Sequence, residues 1–154
     1  MTKLRRNDRA IPEAEAKALL NKAEYGILST VSVDGQPYGV PLNFCIVENF
    51  LYFHHATEGR LIENIKNNSS VSFCAVGDTE IMPDKFGTKY ESIILSGNIE
   101  EVFDAQKQTG LEGILAKYSP DFMEQGREYI KKLWERTRVF RVTIDDMSGK
   151  ARRK

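Results

Sequence analysis

The stretch SVSFCAVG sets Val71, Phe73 and Ala75 on one face and Ser72, Cys74 and Val76 on the other, the two-residue period of a half-buried strand. Similar runs flank it. GILSTVSVDGQPYGVPLNFCIV reads as two strands joined at Asp34 and Gly35, where a tight hairpin turn of the primed type is predicted. NFLYFHH reads as a third strand after a turn at Glu48 and Asn49. YESIILSGNIEEVF reads as a long strand that bends or bulges at Gly97. TRVFRVTIDDMSGKARRK begins as a strand, alternating Val139, Arg141 and Thr143 against Phe140, Val142 and Ile144. Pro41 cannot donate to a ladder, so its position is either an edge or a bulge.

Other stretches carry the helical period. IPEAEAKALLNKAEYG places Pro12 at a helix start, Leu19, Leu20 and Ala23 on one stripe, and Gly26 at the end. EGRLIENIKNN turns Leu61, Ile62 and Ile65 inward. DAQKQTGLEGILAKYSP, with Leu111, Ile114 and Leu115 inward, stops at Pro120, and FMEQGREYIKKLWER follows as a second helix. Strands joined mainly by short turns, with helices set aside, predict a mainly β fold: an antiparallel β-barrel with peripheral helices. No glycine fingerprint follows a strand, so a doubly wound dinucleotide site is not expected. No linker or repeat divides the 154 residues, so one domain over 1–154 is expected.

Charge narrows the function. The 22 basic and 22 acidic side chains cancel, leaving no overall field to attract nucleic acid or an anionic membrane. Lys3, Arg5 and Arg6 near the start and Lys150, Arg152, Arg153 and Lys154 at the end read as solvated tails. No apolar run is long enough to span a bilayer, and the polar first residues lack the core of a secretory signal. A cytoplasmic location is expected, with Cys45 and Cys74 as reduced thiols on apolar strands.

The chain's two histidines are adjacent, in LYFHHATEGRLIENI. Strand alternation sends His54 and His55 to opposite faces, and no further ligand stands at metal spacing, so no metal site is expected. The residues that follow can be read in two ways. A helix starting near Thr57 or Glu58, capped by Thr57, offers free N–H groups to an anion; Gly59 permits close approach and Arg60 adds a forked donor. The same residues also describe a capped helix with a solvent-facing arginine, and Glu58 opposes an anion if it points inward.

Taken in order, YGILSTVSVDGQPYGVPLNF, LYFHHATEGRLIENIKNNSSVSFCAVG, FGTKYESIILSGNIEEV, LAKYSPDF and SGKAR resemble the pyridoxamine 5′-phosphate oxidase-like FMN-binding split barrels, nearest the nitroimidazole-resistance branch. The resemblance runs from about Arg5 to Arg152. It implies a six-stranded antiparallel split barrel and a homodimer with FMN at the subunit interface. Ser29 and Thr30 would line the flavin, and Pro41, Leu42 and Asn43 would run beside its ring. The junction of His54, His55, Ala56, Thr57, Gly59, Arg60 and Leu61 would hold the phosphate. Tyr90, Ser92 and the region of Trp134 would reach in from the partner. The family pattern H-x-A-x-x-G-x-K is met by His54, Ala56 and Gly59, but Leu61 replaces the lysine, which removes one cation. His54 matches the family histidine beside the flavin and is the candidate proton donor; His55 holds a variable position.

The activity so implied is oxidoreduction, in which NADH or NADPH reduces the flavin and the flavin reduces a small planar acceptor such as a nitroaromatic. A flavin carrier or sensor, or a haem- or deazaflavin-binding barrel, is the alternative.

Overall fold

The computed structural model describes residues 4–154; Lys3 of the basic start lies outside the described residues. Seven strands alternate with four α-helices: α1 (Glu13–Lys22), β1 (Gly26–Val31), β2 (Pro37–Leu42), β3 (Cys45–Val47), β4 (Phe50–His55), α2 (Arg60–Asn67), β5 (Ser70–Met82), β6 (Gly87–Val102), α3 (Asp104–Tyr118), α4 (Met123–Leu133) and β7 (Arg138–Arg152). The strands form one antiparallel sheet in the order β2-β1-β5-β6-β7-β4-β3.

The expected second strand is two strands, so the sheet has seven members rather than six. Asn43 and Phe44 break it, and the two pieces take opposite edges of the sheet. Edges separated by two residues of chain must lie close together, so the sheet curls on itself and stays split between β2 and β3. Pro41 sits on the edge strand β2, opposite Ile27, where its missing N–H leaves no ladder bond unmade.

Three other expectations are corrected. The β1–β2 connection is not a two-residue primed turn. Ser32 and Gln36 are joined by the Ser32 N–H to the Gln36 carbonyl at 2.9 Å, and in the loop between them only Gly35 has positive φ (83°). Gly26 does not end α1 but opens β1, where a Cβ would sit 2.1 Å from Phe73 Cζ. Finally, β5 and β6 run on through residues 78–89 as a projecting hairpin that carries Phe86 at its tip. Gly97 does mark an irregularity: the β6–β7 register shifts between Ser96 and Gly97.

The inward faces fill the barrel with Leu28, Phe44, Phe53, Phe73, Leu95 and Phe140, among others. Phe44 meets Phe73 edge-on at 4.8 Å, and Phe53 stacks on Phe140 at 5.6 Å. α1 contributes Ala16 and Leu20 to this core, and α2 contributes Leu61 and Ile62. A second core, built on Cys45, Tyr52, Val102, Leu111 and Val139, lies on the opposite face of the sheet beneath α3. Thus β4 and β7 are buried on both faces, which is why Val139 and Phe140 are both sealed.

Candidate functional site

The histidine pair stands at the end of β4, and the two rings part company there. Tyr52 faces the helices while Phe53 faces the barrel, and the alternation continues. His54 lies in a groove of about 320 Å³ walled by α3 and α4, with Leu111, Ile114, Tyr118, Tyr129 and Leu133 around it. His55 turns the other way: its Nδ1 lies 3.0 Å from the Ala56 carbonyl oxygen, and its ring lies against Gly59. His54 stays exposed at the mouth of the groove, but partial desolvation by the groove walls, and then the neighbouring His55, hold its imidazole below the ordinary value, so it stays neutral further into acid.

The helix after the junction begins later than expected. It starts at Arg60, with Gly59 as N-cap and no side-chain capping bond, so Thr57 is not the cap. Gly59 has φ 141° and ψ 171°, a backbone shape that favours glycine, and a Cβ there would meet His55 Cε1 at 3.3 Å. The backbone is therefore bare on the approach to the helix. The first helical bond runs from the Glu63 N–H to the Gly59 carbonyl at 3.2 Å, which leaves the N–H groups of Arg60, Leu61 and Ile62 without a backbone acceptor among the described residues. Arg60 lays its guanidinium over the Tyr38 ring at 4.6 Å, and it takes part in none of the ion pairs among the described residues. Bare backbone, three free amides and one unpaired cation fit a phosphate. Leu61 is sealed in the barrel core, so it can offer only its amide.

The first-strand residues reach this end through α2. Thr30 is buried and accepts a hydrogen bond from Asn64 Nδ2 at 3.0 Å; it pairs in register with Tyr38, whose ring carries Arg60. Ser29 points to the outer, exposed face instead. Pro41 and Leu42 lie at the far end of β2. Asn43 stands two residues before Cys45 and His54 two residues after Tyr52, in the pair Cys45↔Tyr52, so the strand break opens beside His54. Tyr90 and Ser92 pair with Arg152 and Lys150, at the other end of the β6–β7 ribbon from Arg138 and the junction. Trp134 packs on the second core with Lys107 Nζ 4.3 Å over its ring. One chain therefore does not bring Tyr90 or Ser92 to the junction.

Two contributors carry no local sequence signal. The Tyr118 hydroxyl accepts the Phe44 N–H at 3.1 Å and donates to the Glu24 carbonyl, pinning the strand break and walling the groove of His54. Arg138 reaches from β7 to the Thr57 carbonyl at 3.1 Å.

The sequence profile of the pyridoxamine 5′-phosphate oxidase family matches residues 12–151. The chain belongs to that family. No curated protein matches it. Among solved structures it is similar to a candidate 5-nitroimidazole antibiotic resistance protein of Bacteroides thetaiotaomicron, at 23% identity and TM-score 0.75, covering 92% of this chain and 86% of that one. It is similar to flavocytochrome Anf3 of Azotobacter vinelandii, at 22% identity and TM-score 0.83, covering 99% and 73%. It is also similar to a FAD- and haem-binding protein of Mycobacterium smegmatis, at 19% identity and TM-score 0.81, covering 93% and 72%. At these identities the likeness establishes the fold. Family membership agrees with the split barrel seen here; among the described residues no helix is long and apolar enough to cross a membrane, and no three or more His, Cys, Asp or Glu side chains are grouped as for a metal ion.

Proposed function

We propose that this family member is an FMN-dependent oxidoreductase that reduces a small planar acceptor, such as a nitroaromatic, at the expense of NADH or NADPH. The observation that carries the reading is the junction after β4, where Gly59, three free amides and the unpaired Arg60 make a phosphate cradle on a family scaffold. Bound flavin would supply hydride and electron transfer, chemistry that no side chain offers. The chain's own part is to hold the phosphate at residues 59–62 and to present His54 at the mouth of an apolar groove. A neutral imidazole there can donate its ring N–H in a hydrogen bond to an acceptor near neutral pH.

A twofold partner belongs to the proposal. Pro41, Ile27, Cys74 and Ile94 line up in register across β2, β1, β5 and β6 on the outer face, and Ile27 and Ile94 remain exposed. A row of this kind suits a second copy of the chain, whose Tyr90, Ser92 and Trp134 would then complete the site.

The first test is the absorption spectrum of freshly purified protein, with the released chromophore identified by mass. Released FMN, followed by nicotinamide-dependent reduction of an acceptor, is the expected result. A colourless protein that takes up no added FMN overturns it, and released haem redirects it to His54 as an axial ligand.

A further inference from the structure

The junction is held from outside by a single side chain. Among the described residues, Arg138 is the only one from elsewhere in the fold that hydrogen-bonds residues 56–59: its Nη1 donates to the Thr57 carbonyl at 3.1 Å. The guanidinium is not free to swing. Its Nε donates to both carboxylate oxygens of Glu101 at 3.1 Å, and its Nη2 donates to one of them as well. Both side chains are about three-quarters covered, at 26% and 21% exposure, so this pair is screened less than the surface pairs. Three segments meet at one planar group: β6 through Glu101, β7 through Arg138, and the loop through Thr57.

The two arginines beside this loop have opposite situations. Arg60 carries an unpaired charge over Tyr38. Arg138 has its charge met by Glu101, and its Nη1 also donates to a backbone carbonyl. The first is equipped to meet an anion and the second to set the shape of the loop that meets it.

We infer that the Arg138–Glu101 pair is the positioning device of the phosphate cradle, fixing the Thr57 carbonyl so that the backbone leaves β4 in the form Gly59 and the α2 amides require. This rests on reading the junction as the phosphate site. Arg138 is a positioning residue and does not itself contact the phosphate.

The test compares the wild-type protein with Arg138→Lys and with the paired variant Arg138→Met and Glu101→Gln by three measurements. These are amide hydrogen exchange of residues 56–61 without ligand, FMN affinity as a function of salt, and the thermal midpoint. One lysine ammonium can pair with Glu101 but lacks the planar fork needed to serve the carboxylate and Thr57 together. For Arg138→Lys the thermal midpoint is expected to stay close to wild type, while loop exchange quickens and FMN affinity falls about tenfold, as expected from losing one charge-assisted bond. For Arg138→Met made together with Glu101→Gln, which removes the pair without leaving a bare carboxylate, the affinity falls at least as far, but its salt dependence keeps the wild-type slope, because a charge already met by Glu101 is not what attracts the anion. Wild-type exchange and affinity in Arg138→Lys overturn the inference. So does a reduced salt slope in the paired Arg138→Met and Glu101→Gln variant, which makes Arg138 a direct ligand. So does a loss of affinity that merely tracks the thermal midpoint. If wild-type protein binds no FMN, the functional reading fails, and unchanged exchange in both variants then overturns the clamp by itself.

Discussion

Asn64 of α2 donates its side-chain amide to the Thr30 hydroxyl of β1 across 3.0 Å, and both residues are almost fully buried. The bond joins the helix of the cradle to the strand that carries Tyr38 as its neighbour. Asn64→Ala strands the Thr30 hydroxyl and is expected to cost about 1–3 kcal/mol. Pairing Asn64→Leu with Thr30→Val removes both polar partners and should recover much of that loss. Urea unfolding of the single and double variants measures the coupling. Additive losses would mean that the bond contributes nothing of its own.

Replacing Leu61 by the lysine of the family pattern does not simply restore a cation. The side chain points into the barrel, so Leu61→Lys loses core packing and buries an amine, at a cost of about 3 kcal/mol or more. Arg60→Ala touches no core and is expected to leave the thermal midpoint nearly unchanged while weakening FMN retention about tenfold or more. Equilibrium dialysis beside a thermal melt reads both; full FMN retention in Arg60→Ala would place the phosphate elsewhere.

Tyr118→Phe removes the acceptor of the Phe44 N–H and the donor to Glu24, 74 and 94 residues away in the chain. The expected loss is about 1–3 kcal/mol. For a chain of this length that lowers the melting point by about 2–4 °C per kcal/mol. A melting point equal to that of wild type would show that water satisfies the strand break equally well.

His54 makes stability depend on pH. Its folded value lies below the ordinary 6.5, first because the groove walls partly desolvate a ring that stays exposed at the mouth and then because His55 is beside it. Between the two values the unfolded chain holds the extra proton, so stability is fully present above 6.5 and falls as pH falls toward the folded value. His54→Gln should flatten this slope. Urea midpoints taken from about pH 5 to about pH 8 test it, that being the window in which histidine titrates. A slope unchanged in the variant would assign it to other groups.

Much of the scaffold could be read directly from the chain. The alternation of residues 70–77, the bend at Gly97 and the four helical stretches are local patterns, and each appears in the fold near where its pattern lies. The break at Asn43 and Phe44 could not be read in that way. NFCIV continues an apolar strand, and only the choice of β1 or β4 as neighbour splits it. The start of α2 was misplaced for a related reason. Thr57 is a good capping residue, but its carbonyl is engaged by Arg138, and the chain stays extended to Gly59.

By itself the sequence determined which residues share a face, where helices and strands alternate, that net charge is balanced, and that both histidines fall at one junction on opposite sides of a strand. Those properties follow from periods of two and 3.6 residues and from composition, and they need no knowledge of neighbours. Only the tertiary structure decided that His54 enters the helical groove while His55 meets Gly59. It also decided that Leu61 is sealed in the core, that Tyr118 pins the strand break, and that Arg138 and Glu101, 37 residues apart, converge on Thr57. Such pairings depend on how a curled sheet brings distant segments together, and a hydrogen bond between distant residues leaves no mark on the local pattern at either end.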